Sequence, residues 1–167
     1  MEMTEMLTPS ILLSETHFPL LGIRGILADA IARIADERFF GCIELTTIAD
    51  GNERRRIGQI VRENGLILNL WMSLVLAEEG LNLSALDESL RKRSVRRVAD
   101  HIPQSTECGA TALAVLSGPD PGPLCRAEAS QRLCLSLCEL SDAASAEGSL
   151  KVLLEPLDRG AHRNGLI

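Results

Sequence analysis

Aromatic side chains are almost missing from this chain: it has one tryptophan, Trp71, three phenylalanines, Phe18, Phe39 and Phe40, and no tyrosine. That removes the stacking platforms on which single-stranded nucleic acid is held. An excess of positive charge is missing too. The chain carries 17 Lys and Arg against 23 Asp and Glu, a formal charge of −6, so non-specific nucleic-acid binding through a basic surface is excluded. No apolar run approaches the roughly 18–20 residues of a membrane span, and no membrane partner is expected. Residues 1–13 lack a basic start followed by a long apolar block, so no secretory signal is read and a cytoplasmic location is expected. No G-x-G-x-x-G follows the first strand-like segment and no G-x-x-x-x-G-K occurs, which argues against dinucleotide and P-loop sites.

Cysteine is present but unpaired in number. Five cysteines, Cys42, Cys108, Cys125, Cys134 and Cys138, without a signal segment indicate free thiols in a reducing compartment. Cys134 and Cys138 stand four apart on a predicted helix. With no second pair or histidine cluster beside them, they read as small apolar residues packing on that helix rather than as zinc ligands.

What is there is a rhythm. At 167 residues and 46% hydrophobic content, the chain can build one domain with a real core, taken here as 1–167. Strand-like and helix-like segments alternate, the pattern of a parallel α/β protein. The strands are expected at 10–14, 39–46, 66–72, 110–116 and 150–155. Leu27, Ala30, Ile31, Ile34 and Ala35 recur at helical spacing, placing a helix over 26–38. Asn52 is expected to cap the second helix and Gly65 to stop it. A loop is expected over 73–83. Ser84 then caps a helix running to about His101, with Leu86, Leu90, Val95, Val98 and Ile102 inward. S-G-P-D-P-G-P, 117–123, can be neither helix nor strand interior. Leu133, Leu137, Leu140 and Ala144 mark the fourth helix, closed near Gly148. Five strands and four connecting helices make a partial (β/α)8 TIM barrel, five of the eight units of a fold that usually takes roughly 250 residues.

The fifth strand, K-V-L-L-E-P-L, ends on one carboxylate followed by proline. Buried parallel strands read as continuous Val/Ile/Leu runs, and barrel chemistry sits where such strands end. Glu155 is therefore placed to face a site. The alternative is a carboxylate that caps a neighbouring helix or pairs with Arg159.

Several segments coincide with one known group. L-A-D-A-I-A-R-I-A leads into F-F-G-C-I-E-L-T-T-I-A-D; the fourth strand gives A-L-A-V-L-S-G-P-D-P-G-P; the fifth gives K-V-L-L-E-P-L-D-R, followed by H-R-N-G-L-I. Together these resemble the xylose-isomerase-like TIM-barrel superfamily, specifically its sugar phosphate isomerase/epimerase branch, from about Ser10 to Ile167. The resemblance implies metal-assisted proton transfer beside a carbonyl of a small sugar or hydroxy-carbonyl substrate. It implies a divalent metal, Mn2+, Co2+, Mg2+ or Zn2+, held by carboxylates and histidines at the ends of strands five to eight. Glu155 matches the strand-five glutamate that ligates metal and serves as acid/base. Strands six to eight are missing from this sequence, so the expectation is an amino-terminal portion cut just after strand five.

Such chemistry needs a base beside the reacting carbon and something to stabilise the enediolate oxygen. Glu44, at the end of strand two, is a candidate for binding substrate hydroxyls; the alternative is a buried carboxylate held by protein donors. Trp71 can lie against a sugar's apolar face or fill the barrel rim. His17, following strand one, is a further candidate for the cleft. Asp158 and His162 can in principle join Glu155 around a metal, although loop ligands are the weaker choice. His101, at a helix end, reads as a surface group. Arg54, Arg55 and Arg56 fan around one helix and Arg91, Arg93, Arg96 and Arg97 around another, as solvated faces.

Two further readings compete. An endonuclease-IV-like phosphodiesterase needs more histidine ligands than the three present and a basic groove. A non-catalytic fragment would self-associate as a homo-oligomer through its open sheet edges.

Overall fold

The computed structural model describes residues 7–16, 25–157 and 165–166. In chain order the elements are β1 (Ser10–Leu12), α1 (Leu13–Thr16), α2 (Ile26–Glu37), β2 (Cys42–Thr46), α3 (Gly51–Asn64), β3 (Ile67–Trp71), α4 (Ser73–Glu78), α5 (Glu88–Ala99), α6 (Ile102–Glu107), β4 (Ala112–Leu116), α7 (Arg126–Glu147) and β5 (Lys151–Glu155). The five strands form one sheet in the order β1-β2-β3-β4-β5, and every neighbouring pair is parallel. Sequential parallel order with helical crossovers is the winding of a (β/α) barrel, here over five strands among the described residues.

Period-two alternation divides each strand between two faces. Register joins Ile43 to Leu68 and Leu45 to Leu70, and Leu113 to Val152 and Val115 to Leu154. These side chains meet the helices, and Ile43, Leu45, Leu68 and Leu113 are fully buried. The edge strands are less covered: Ile11, Val152 and Leu154 are only half-buried on the same face.

The helices are closed by contacts that local pattern does not announce. Asp50, not Asn52, caps α3, its carboxylate accepting from Glu53 N–H at 2.9 Å. Gly65 does stop that helix in the left-handed region, φ 63°. Gly25 provides no side-chain cap for α2. Glu53 reaches across from α3 instead, accepting from Leu27 N–H at 3.0 Å and Ala28 N–H at 3.4 Å, so orphan amides of one helix are satisfied by the next. Gly58 lets α3 and α6 approach: a Cβ there would stand 2.6 Å from the Glu107 carbonyl oxygen.

Several local expectations shift. The expected loop at 73–83 contains α4, which buries Leu76. The helix expected from Ser84 is capped by Asp87 and leaves Leu86 exposed, and a separate short helix, α6, follows it. Arg91 is not a solvated residue. It is 3% exposed, ion-paired with Glu88 and Glu139 at 2.8 Å each, and it donates to Ser136 Oγ at 3.1 Å, joining α5 to α7. The Arg91 bond, helped by the nearby Lys92 and Arg132 charges, holds the Glu88 carboxyl down to about 2. Arg54 and Arg55 converge on Glu107 at 2.6 and 3.0 Å instead of fanning apart into solvent. His101 is buried at 7% exposure. Cys134 and Cys138 are exposed, so neither packs as a core residue; on a helix packed against a sheet, only one stripe is covered.

Candidate functional site

The other face of the sheet is the inward face of the barrel curve, and it is built differently. Register joins Ser10 to Cys42, Glu44 to Asn69 and Thr46 to Trp71, and Leu116 to Glu155. All of these side chains share one face by strand parity. Of the candidates named from sequence, Glu44, Trp71 and Glu155 therefore lie on this common face. His17, Asp158, Arg159 and His162 lie outside the described residues.

Glu44 is engaged on both oxygens. Ser10 Oγ donates to Oε1 at 3.0 Å and the Trp71 indole N–H donates to Oε2 at 3.0 Å. Deeper in the face, Asn69 Nδ2 donates to Cys42 Sγ at 3.7 Å, and Thr111 Oγ1 donates to Asn69 Oδ1 at 3.0 Å. The bond to Glu44 fixes the indole's orientation, so Trp71 presents a held, half-buried ring. Ser10 and Asn69 were not singled out by sequence. Their signal is parity: each falls on the same alternate positions as Cys42 and Glu44.

The diagonal bonds show which way the sheet staggers. Ser10 is level with Cys42 in register yet bonds Glu44, and Glu44 is level with Asn69 yet bonds Trp71. In an eight-stranded barrel of shear 8 the level advances about one residue per strand. Carrying the level of Glu44 across three strands to β5 moves it about three residues past Lys151, between the inward-facing Leu153 and Glu155. The two carboxylates thus occupy nearly one height on the inner wall. Glu155 is half-buried, at the carboxyl end of β5, and its carboxylate makes no hydrogen bond or ion pair to any described residue.

Among the described residues, no group of three His, Cys, Asp or Glu side chains converges to hold a metal ion. Glu44 is already committed, and among the described residues Glu155 has no second ligand beside it. The described residues do not fit a complete metal centre. What this face offers is a carboxylate without a partner among the described residues and an indole oriented by Glu44.

A sequential parallel β/α sheet with Glu44 and Glu155 on its inner wall defines a barrel-type protein. The sequence matches the xylose isomerase-like TIM barrel family over residues 30–164, and the chain belongs to that family. Its fold is similar to that of D-psicose 3-epimerase with D-tagatose from Clostridium cellulolyticum H10 (20% identity, TM-score 0.64, covering 80% of this chain and 47% of that one). It is also similar to endonuclease IV from Thermus thermophilus (17%, 0.62, 87% and 52%) and to the IOLI protein with a binding zinc atom (14%, 0.64, 89% and 51%). The chain spans about half the length of these solved structures. No curated protein sequence is significantly similar to it. Among the described residues, no helix is long and apolar enough to cross a membrane.

Proposed function

We propose that this chain forms the amino-terminal side of a sugar phosphate isomerase/epimerase-type site. Glu155 would take or return the proton on a carbon beside a carbonyl of a small sugar-like substrate. The observation that carries this reading is the position of Glu155: inward, at a strand carboxyl end, with no described partner to hold its charge. A carboxylate so placed is available as a general base, whereas a structural carboxylate is ordinarily held by donors, as Glu44 and Glu53 are. Trp71 would lie against the substrate's apolar face, oriented through Glu44. The excess of acidic residues supports a neutral or hydroxylated substrate over the phosphodiester backbone expected for an endonuclease.

The test is exchange of the substrate α-proton with deuterated water, followed by NMR with a ketose panel, with and without added Mn2+. The zinc in the IOLI protein motivates the metal arm. Glu155→Gln should abolish exchange; unchanged exchange removes Glu155 from this role. As the chain's single tryptophan, Trp71 should also change its emission on sugar binding.

The half-covered edge strands support a second reading, self-association through β1 and β5. It predicts a dimer or larger species of the 167-residue chain by size-exclusion chromatography with light scattering; a compact monomer at all concentrations rejects it.

A further inference from the structure

A pocket of about 200 Å³ opens beside the carboxyl ends of β4 and β5, between α4 and the loop after β4. Its walls are Leu76 and Leu81 from the α4 region, Leu116 at the end of β4, Pro119 from the following loop, and Leu157 just beyond β5. The main polar group in the wall is turned in on its own turn: the Asn82 side-chain carbonyl accepts from Ser84 N–H and Ser84 Oγ, both at 2.8 Å. Gly118, φ +89°, packs on that same amide where no Cβ would fit. The loop is pinned from the far side, since Leu166 N–H donates to the Gly118 carbonyl at 3.0 Å and Pro119 pairs with Gly165.

The pocket adjoins the Glu155 face through Leu116. Leu116 is the register partner of Glu155, and adjacent strands lie about 4.8 Å apart. A whole ligand site typically occupies about 300–1,000 Å³, so this volume suits part of a ligand. An apolar cavity of about 150 Å³ accepts benzene.

We propose that this pocket is an apolar subsite of the Glu155 centre, taking a hydrocarbon group of the substrate up to about the size of a benzene ring. This rests on the isomerase reading and narrows it: the substrate is a hydroxy-carbonyl with a polar reacting end and an apolar tail. A hydroxyl-rich tail would lose its water here without gaining partners.

The test is an NMR titration of the methyl-labelled 167-residue chain with 1-hydroxy-4-phenylbutan-2-one and with erythrulose, which differ in tail polarity. The phenyl ketone should bind roughly tenfold tighter or more and shift the methyl resonances of Leu76, Leu81 and Leu116. Ala77, exposed on α4 and lining the pocket, allows filling from outside: Ala77→Leu should reduce the preference and Ala77→Phe should remove it, with thermal melts confirming the fold. Equal affinities without leucine shifts overturn the subsite, even where Glu155→Gln abolishes α-proton exchange. Leucine shifts and tail preference in a chain that exchanges no ketose α-proton, with or without Mn2+, uphold the pocket and sink the isomerase reading.

Discussion

The two faces of this sheet, made by the same five strands, obey different rules. Toward the helices, Ile43, Leu45, Leu68 and Leu113 are sealed from solvent; every one is aliphatic and none carries a polar side-chain atom. Toward the barrel interior the same strands present Ser10, Glu44, Asn69, Trp71 and Glu155, with Ile67 and Leu153 left 41% and 43% exposed. Stability resides in the first face because dry aliphatic contacts are non-directional and grow with the area buried. The second face holds the candidate chemistry, because a polar group near solvent can be left without a described protein partner at little cost.

The largest test of that contrast is a matched pair. Leu113→Ala, on the sealed face, should lower unfolding free energy by about 3 kcal/mol in urea titration. Leu153→Ala, in the next strand on the half-exposed face, should lower it by about 1 kcal/mol or less. Equal losses would break the distinction. Gly58→Ala sharpens it from the helix layer: the added methyl meets the Glu107 backbone, and a loss of about 1–3 kcal/mol is expected.

His101 provides a pH test. Burial is the main cause holding its pKa below the usual imidazole range, with Arg97 adding to it and Asp100, Glu79 and Gln104 opposing it. Neither ring nitrogen is within hydrogen-bonding geometry of a described residue, so the influence of Gln104 is that of a nearby polar group and not of a formed bond. Because the folded state binds this proton less readily than the unfolded chain, the stability is fully present above about pH 6.5 and declines as pH falls toward the depressed folded value. His101→Leu should flatten that slope in melts between about pH 7.5 and 5, the range that brackets imidazole titration.

The smallest expected change is on the inner face. Glu155→Leu should move stability by no more than about 0.5 kcal/mol while removing ligand response. Glu44→Gln should keep Trp71 emission near wild type, since one amide oxygen still accepts the indole N–H; Glu44→Ala should shift it. Identical spectra for both would remove Glu44 as the residue that orients the ring.

The β/α rhythm was legible because each strand is a short apolar run between turn residues, and each long helix repeats its apolar positions at helical spacing. Gly65 and the 117–123 loop were legible for the same local reason. The short helices α4 and α6 were not, because each spans six residues, too few for a period to emerge. The burial of Arg91 was hidden because its partners Ser136 and Glu139 lie 45 and 48 residues away. Glu155 stood out from its strand-end position, whereas the engagement of Glu44 by Ser10 and Trp71 depends on how three strands stagger.

Local chemistry alone thus determined the alternation of strands and helices, the parallel class of the sheet and the strand end on which an acid sits, since periodicity and turn residues act within a few positions. Which carboxylate is spent on protein donors, which has no partner among the described residues, and that an apolar pocket adjoins it were decided only by tertiary structure. Those outcomes depend on register, stagger and loop contacts between residues far apart in the chain, and no local pattern encodes them.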